Sequence, residues 1–152
     1  MKKILKKKQK GFSLVELLIV VAIIGIIAAI AIPSLLKARK AANESSAIGT
    51  LRTLGSAQVL YQGRHNNTPG TMANLISQTL IDSNLTAGEE RNSYTFNEDT
   101  PSATTKQWRY FAAPDGSLTS GERAYSIQED NTIRYLDGAT PPGRNAGTVL
   151  GS

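Results

Sequence analysis

The chain has 152 residues, a length that suits one domain or a small domain with an anchor. It contains no cysteine and one histidine, His65, which excludes a disulfide scaffold, a thiolate zinc site, an iron–sulfur cluster, a cysteine nucleophile and any multi-histidine metal site. The formal charge of +5 is concentrated at one end. Six lysines (Lys2, Lys3, Lys6, Lys7, Lys8 and Lys10) lie in the first ten residues, and the rest of the 17 basic side chains face all 12 acidic ones. The body therefore has no excess charge to attract a polyphosphate backbone, and nucleic-acid binding by it is not expected.

Residues 12–32, FSLVELLIVVAIIGIIAAIAI, contain two polar side chains, Ser13 and Glu16. As a helix the run measures about 32 Å, close to the thickness of a bilayer's hydrocarbon core. A helix apolar on every side belongs in lipid or inside an assembly. The ~120 residues that follow form too small a domain to enclose it. The lysine-rich end against Lys37, Arg39 and Lys40 beyond the run places the N-terminus in the cytoplasm and the body across the membrane. Three fates compete: a secretory signal cut after Ala29-Ile30-Ala31, an uncleaved anchor, and trimming nearer the lysines.

Glu16 is the anomaly. A carboxylate in a membrane helix costs about 2.5 kcal/mol or more at the bilayer centre. It is either an interfacial carboxylate reaching the headgroups or a charge awaiting a partner in a dry assembly. No lysine or arginine lies within 12–32 to supply one. The nearest cation that can be created is the α-amine freed by cutting just before Phe12.

Lys10-Gly11-Phe12-Ser13-Leu14-Val15-Glu16 resembles the prepilin motif of type IV pilins and type II secretion pseudopilins, and it stands between a lysine-rich leader and a long apolar helix containing a proline. The resemblance covers residues 1 to 62. It implies cleavage between Gly11 and Phe12 by a prepilin peptidase, N-methylation of Phe12, and pairing of Glu16 with the Phe12 amine during filament growth. It also marks Pro33 as the family's helix proline, near which the stem bends or melts. On the residues alone, Pro33 removes a backbone donor and clashes with the preceding turn, so it either kinks the helix or ends the membrane span. Gly25-x-x-x-Ala29 offers a small-residue surface for close helix approach.

Residues 34–62 continue as an amphipathic helix. Ala47, Ile48, Leu51, Leu54, Gly55, Val59 and Tyr61 fall on one side, Arg52, Thr53 and Ser56 on the other, and Gln58 interrupts the stripe. Residues 63–70 form a turn-rich break, and Thr71 caps a short helix over Met72–Leu80 with Leu75, Ile76 and Leu80 inward. Strands follow at Ser93–Asn97, Gln107–Ala113, Arg123–Gln128 and Thr132–Leu136, the last two forming a hairpin around Glu129-Asp130-Asn131. The alternation in Arg123–Gln128 predicts one buried and one wet face.

The expected fold is α+β: a leader (1–11), an apolar helix (12–33), its amphipathic continuation (34–62), a head with a small antiparallel sheet (63–138) and an irregular tail (139–152). The resemblance often includes a disulfide that pins the C-terminal loop. Here packing, hydrogen bonds or a cation must hold that loop, or it stays mobile.

No phosphate-binding glycine loop, HExxH or GxSxG is present. No catalytic residue and no cofactor are expected. Calcium at Glu129, Asp130 and Asp137 is a minor alternative, because hard cations want several oxygen ligands and the resemblance includes calcium-binding pseudopilins. No aromatic lies between Phe12 and Tyr61, so an aromatic ladder for electron conduction is not expected.

The resulting expectation is a non-enzymatic subunit of a type IV pilus-like filament. It is stored in the inner membrane, trimmed by the prepilin peptidase, handed to an assembly platform, and polymerised with its own copies and minor pilins into a periplasmic or extracellular filament. The alternatives are a type II secretion pseudopilin, a monomeric membrane-anchored binding domain, and a tethered enzyme.

Overall fold

A computed structural model of the protein describes residues 11–99, 101–102 and 104–151. The lysine-rich leader up to Lys10 lies outside the described residues. The fold is α+β, as the sequence leads one to expect. A long helix α1 (Leu14–Arg64) precedes a short helix α2 (Met72–Ser77) and six strands: β1 (Glu89–Arg91), β2 (Tyr94–Glu98), β3 (Arg109–Pro114), β4 (Arg123–Gln128), β5 (Ile133–Asp137) and β6 (Thr148–Val149). The chain divides into two compact units, one ending at Leu35 and the other running from Leu36.

The first unit is helical from Leu14 and includes Pro33 within helical residues. None of its described residues is buried. Its segment is long and apolar enough to cross a membrane.

The second unit is a sheet in the order β1-β2-β3-β4-β5-β6, antiparallel throughout, packed on the later turns of α1. The register places Phe96 opposite Ala112, Ala112 opposite Tyr125, and Tyr125 opposite Tyr135. These side chains therefore share one face. That face meets Ala47, Leu51, Leu54 and Ala57 of α1, and Met72, Leu75 and Trp108 complete the core. Each deep tyrosine finds a partner for its hydroxyl: Tyr94 Oη donates to Arg123 O at 2.7 Å, and Tyr125 Oη donates to Glu44 Oε2 at 3.0 Å. Burial, with Glu44 nearby, pushes both phenols well above their ordinary range.

The helical stripe differs from the reading in two places. Gln58 is fully buried, whereas Val59 is 49% exposed. Gln58 stands three residues after Gly55 and seven after Leu51, so it falls on the same helical face. Its amide lies 2.8 Å from Tyr110 Oη and faces both backbone groups of Gly70. With the amide nitrogen turned to Gly70 O and its oxygen to Gly70 N, every polar atom is satisfied.

α2 ends at Ser77, short of the expected Leu80, because Thr79 adopts a left-handed backbone at φ 54°. Thr71 does cap it: Thr71 Oγ1 accepts from Asn74 N at 3.2 Å, and Asn74 Oδ1 accepts from Thr71 N at 2.9 Å. Two small strands escaped the reading. β1 pairs with β2 through the two-residue turn Asn92-Ser93, both at positive φ (49° and 62°). β6 lies in the tail expected to be irregular and pairs with β5.

The expected wet face of β4 is covered. Ala124, Ser126 and Gln128 are buried along with Tyr125 and Ile127. The C-terminal tail provides the cover. Asn145 N donates to Gln128 Oε1 at 3.1 Å, Gln128 Nε2 donates to Asn145 Oδ1 at 2.5 Å, and Pro142 is fully buried. Arg109 Nη1 donates to Pro142 O, and Leu150 N donates to Ile133 O at 2.8 Å. Packing and hydrogen bonds thus hold the loop that lacks a disulfide.

Candidate functional site

The start of α1 is built from Gly11, Phe12, Ser13 and Glu16. Gly11 and Phe12 precede the first helical turn, and Phe12 is 87% exposed. Among the described residues, a Cβ on Gly11 would meet nothing within 4 Å. Ser13 is the N-cap. Its Oγ accepts from Glu16 N at 3.2 Å, and Glu16 Oε2 accepts from Ser13 N at 2.9 Å. This is a reciprocal capping box, which satisfies two of the four donors a helix start leaves unpaired.

The box changes how Glu16 is understood. Its carboxylate has a local task at the helix N-terminus, where negative charge is also favoured by the helix dipole. The pattern Ser-x-x-Glu before an apolar run is a helix-start signal readable in the sequence. The α-amine freed by a cut before Phe12 would belong to the residue next to Ser13, whose N–H the carboxylate already touches. Below the box the helix surface is apolar all round: Leu14 is 77% and Ile30 74% exposed.

Pro33 sits further along α1, outside the box. The other residues weighed for chemistry are occupied elsewhere. His65 stacks on Tyr61 with ring centroids 3.9 Å apart, and its Nδ1 lies 2.9 Å from Tyr61 O. Glu129 pairs with Arg144 at 2.7 Å, Asp130 with Arg134 at 2.6 Å and Asp137 with Arg123 at 3.4 Å. Among the described residues no three His, Asp or Glu side chains gather where they could hold a metal ion.

Comparison with known proteins adds to this geometry. Residues 6–32 match the family model of the prokaryotic N-terminal methylation motif. The chain is 46% identical over 74 residues to the type IV wide pilus major component of Thermus thermophilus, a match covering 49% of this chain and 56% of that protein. It is 30% identical over 87 residues to the type II secretion system core protein G of Aeromonas hydrophila, covering 57% of this chain and 59% of that protein. A fimbrial protein of Neisseria meningitidis serogroup B is 44% identical over 62 residues, covering 41% and 36%. The chain thus spans about a third to three fifths of the length of these relatives. It carries the prepilin-type methylation motif, and its homologues are type IV pilins and type II secretion core protein G.

Proposed function

We propose that the protein is a structural, non-enzymatic subunit of a type IV pilus-like filament, and that Gly11, Phe12 and Glu16 carry its maturation and assembly. One observation carries the reading: the single carboxylate of the exposed apolar run 12–32 lies at the first turn of α1, directly behind the Gly11–Phe12 junction of a methylation motif. In this reading residues 12–32 hold the precursor in the inner membrane with its N-terminus in the cytoplasm. The prepilin peptidase cuts between Gly11 and Phe12 and methylates the new amine. Burial of a lone carboxylate in a dry bundle is heavily penalised, and burial of a hydrogen-bonded ion pair much less so. The Phe12 amine of a neighbouring copy supplies the pair, which sets the axial register of a joining subunit. Lipid-exposed aliphatic faces then exchange lipid for one another, and the region around Pro33 absorbs the change in helix path. Minor pilins and an assembly platform are the accompanying partners. No cofactor is needed for this role.

Intact mass and N-terminal sequencing of the native protein test the reading. A mature chain starting at methylated Phe12 is expected, and a functional chain starting at Met1 or Ile32 overturns it. Glu16→Leu is expected to insert normally and to fail in assembly, whereas a monomeric anchored domain would tolerate it. The relationship to core protein G supports a second reading, a type II secretion pseudopilin. Filaments sheared from cells favour the pilus; a secretion defect without filaments favours the pseudopilus.

A further inference from the structure

The second unit carries two exposed features of complementary shape and charge. The first is a hole on the outer side of α1. Ser56, Val59, Leu60 and Gly63 are all exposed there, Val59 at 49% and Leu60 at 56%. They stand at i, i+3, i+4 and i+7, the four corners of a hole that takes a knob from another chain. Val59 and Leu60 form its aliphatic walls. Ser56 and Gly63 are its small ends, and among the described residues a Cβ on Gly63 would meet nothing within 4 Å. Arg64, one turn beyond Leu60, is exposed and makes no ion pair among the described residues. The second feature is a knob. Leu118 is 82% exposed in the loop between β3 and β4. That loop is tied down on both sides of it. Ser117 N donates to Asp115 Oδ1 at 2.8 Å, Ser120 Oγ donates to Ser117 O at 2.7 Å, and Asn43 Nδ2 of α1 donates to Thr119 O at 2.8 Å. A leucine presented on a pre-ordered loop loses little freedom on docking. The Asp115 carboxylate, three residues before it, meets no cation among the described residues.

We propose that Leu118 of one copy seats in the Ser56–Val59–Leu60–Gly63 hole of a second copy, with Asp115 facing Arg64. The match of chemistry selects the partner: an aliphatic knob meets aliphatic walls, and beside it a carboxylate without a cation meets a guanidinium without an anion. The charge pair fixes orientation more than it adds affinity. The knob cannot fill the hole of its own chain. Its loop is fastened at Asn43, and Val59 lies sixteen residues further along α1, about 24 Å away. A knob and a hole at different places on one copy make a heterologous contact, which links copies into rings or open filaments instead of closing a two-fold pair. One leucine in one hole is far below the area of a stable dimer, so the contact acts where copies already lie side by side. The inference rests on the filament reading given above and assigns the head its own contact within it.

The chain has no cysteine, so an introduced pair is the sole source of disulfides. The full chain carrying Leu118→Cys/Leu60→Cys is produced in cells, and sheared filaments are mildly oxidised and run on a denaturing gel without reductant. A disulfide needs Cα atoms within about 7 Å, so this pair closes only between copies. A ladder of dimers, trimers and longer chains is expected. It should be at least about tenfold stronger than from either single variant or from Leu118→Cys/Arg52→Cys, whose helical cysteine stands about two turns from Leu60. Filaments without that ladder overturn the inference, as does equal cross-linking at Arg52. A dimer from Leu118→Cys alone, the mark of a two-fold contact, overturns it too. Leu118→Asp is expected to lower filament yield about tenfold while the head melts as before; an unchanged yield counts against the contact in the same way. If the unmodified chain forms no filament, the filament reading itself falls, and this inference with it.

Discussion

Glu98 and Asp99 are neighbours with opposite fates. Glu98 is half-buried at the end of β2, where its Oε2 accepts from Met72 N at 2.8 Å. Burial raises its carboxyl above the ordinary 4.5, and the bond to Met72 offsets this only in part. A folded-state value above the unfolded one means that the neutral form favours folding. That contribution is complete below about pH 4.5 and is lost as pH rises through the folded value. Glu98→Gln keeps an acceptor for Met72 N without the charge. It is expected to raise the melting temperature at neutral pH, a stabilisation of less than about 1 kcal/mol, and to have no effect in acid. Melting curves across that range check it; a loss at neutral pH would refute it. Asp99 runs the other way. The Arg109 guanidinium grips it at 2.7 and 3.0 Å and holds its carboxyl below 3.8. Its stabilisation is present above that value and is lost as pH falls through the depressed one. Asp99→Asn is therefore expected to flatten the acid limb of the same curves.

At the scale of elements, Gln58 shows how a polar side chain belongs to an apolar stripe. α1 needs a partner for Gly70 at the turn that starts the head, and Gln58 supplies it from inside the core. Gln58→Ala strands Gly70 N and leaves a void, and a cost of about 2–3 kcal/mol is expected. Val59→Ala, one residue along but half-exposed, is expected to cost under about 0.5 kcal/mol. Urea denaturation of the two variants separates them, and equal effects would contradict the packing seen here. Helical period made Leu51, Leu54 and Gly55 legible in the sequence, and turn chemistry made the break at 63–70 legible. Local signals for β1 were weak, because its turn is Asn92-Ser93 and serine is a poor resident of the left-handed region. The buried outer face of β4 was illegible for another reason. Its cover comes from Pro142 and Asn145, and no local pattern reports a contact made by a distant tail. The Gly11–Phe12–Glu16 constellation was legible because it is contiguous and chemically out of place. Its capping box was equally local, but a charge lacking a counter-ion masked a charge already hydrogen-bonded.

At the scale of the whole molecule, the two units differ in what stabilises them. Among the described residues no core residue precedes Ala47, and none of residues 11–35 is buried. In the proposed reading, their apolar surface serves lipid or neighbouring copies. A chain begun at Leu36 is therefore expected to fold in water and to melt within a few degrees of the full chain in detergent. The opposite end behaves differently despite its scarcity of regular structure. Ending the chain at Gly138 removes the bonds of Asn145 to Gln128, of Pro142 to Arg109 and of Leu150 to Ile133. It also exposes Ser126 and Gln128, and it removes the ion pair between Arg144 and Glu129. At about 1 kcal/mol for each hydrogen bond, with the added cost of unsatisfied buried groups, the loss is expected to exceed about 3 kcal/mol. That is a large share of a small domain's stability. Calorimetry of the two truncations checks the contrast. A head that tolerates the loss of residues 139–152 as easily as the loss of 1–35 would mean that something other than the tail closes the outer face of β4.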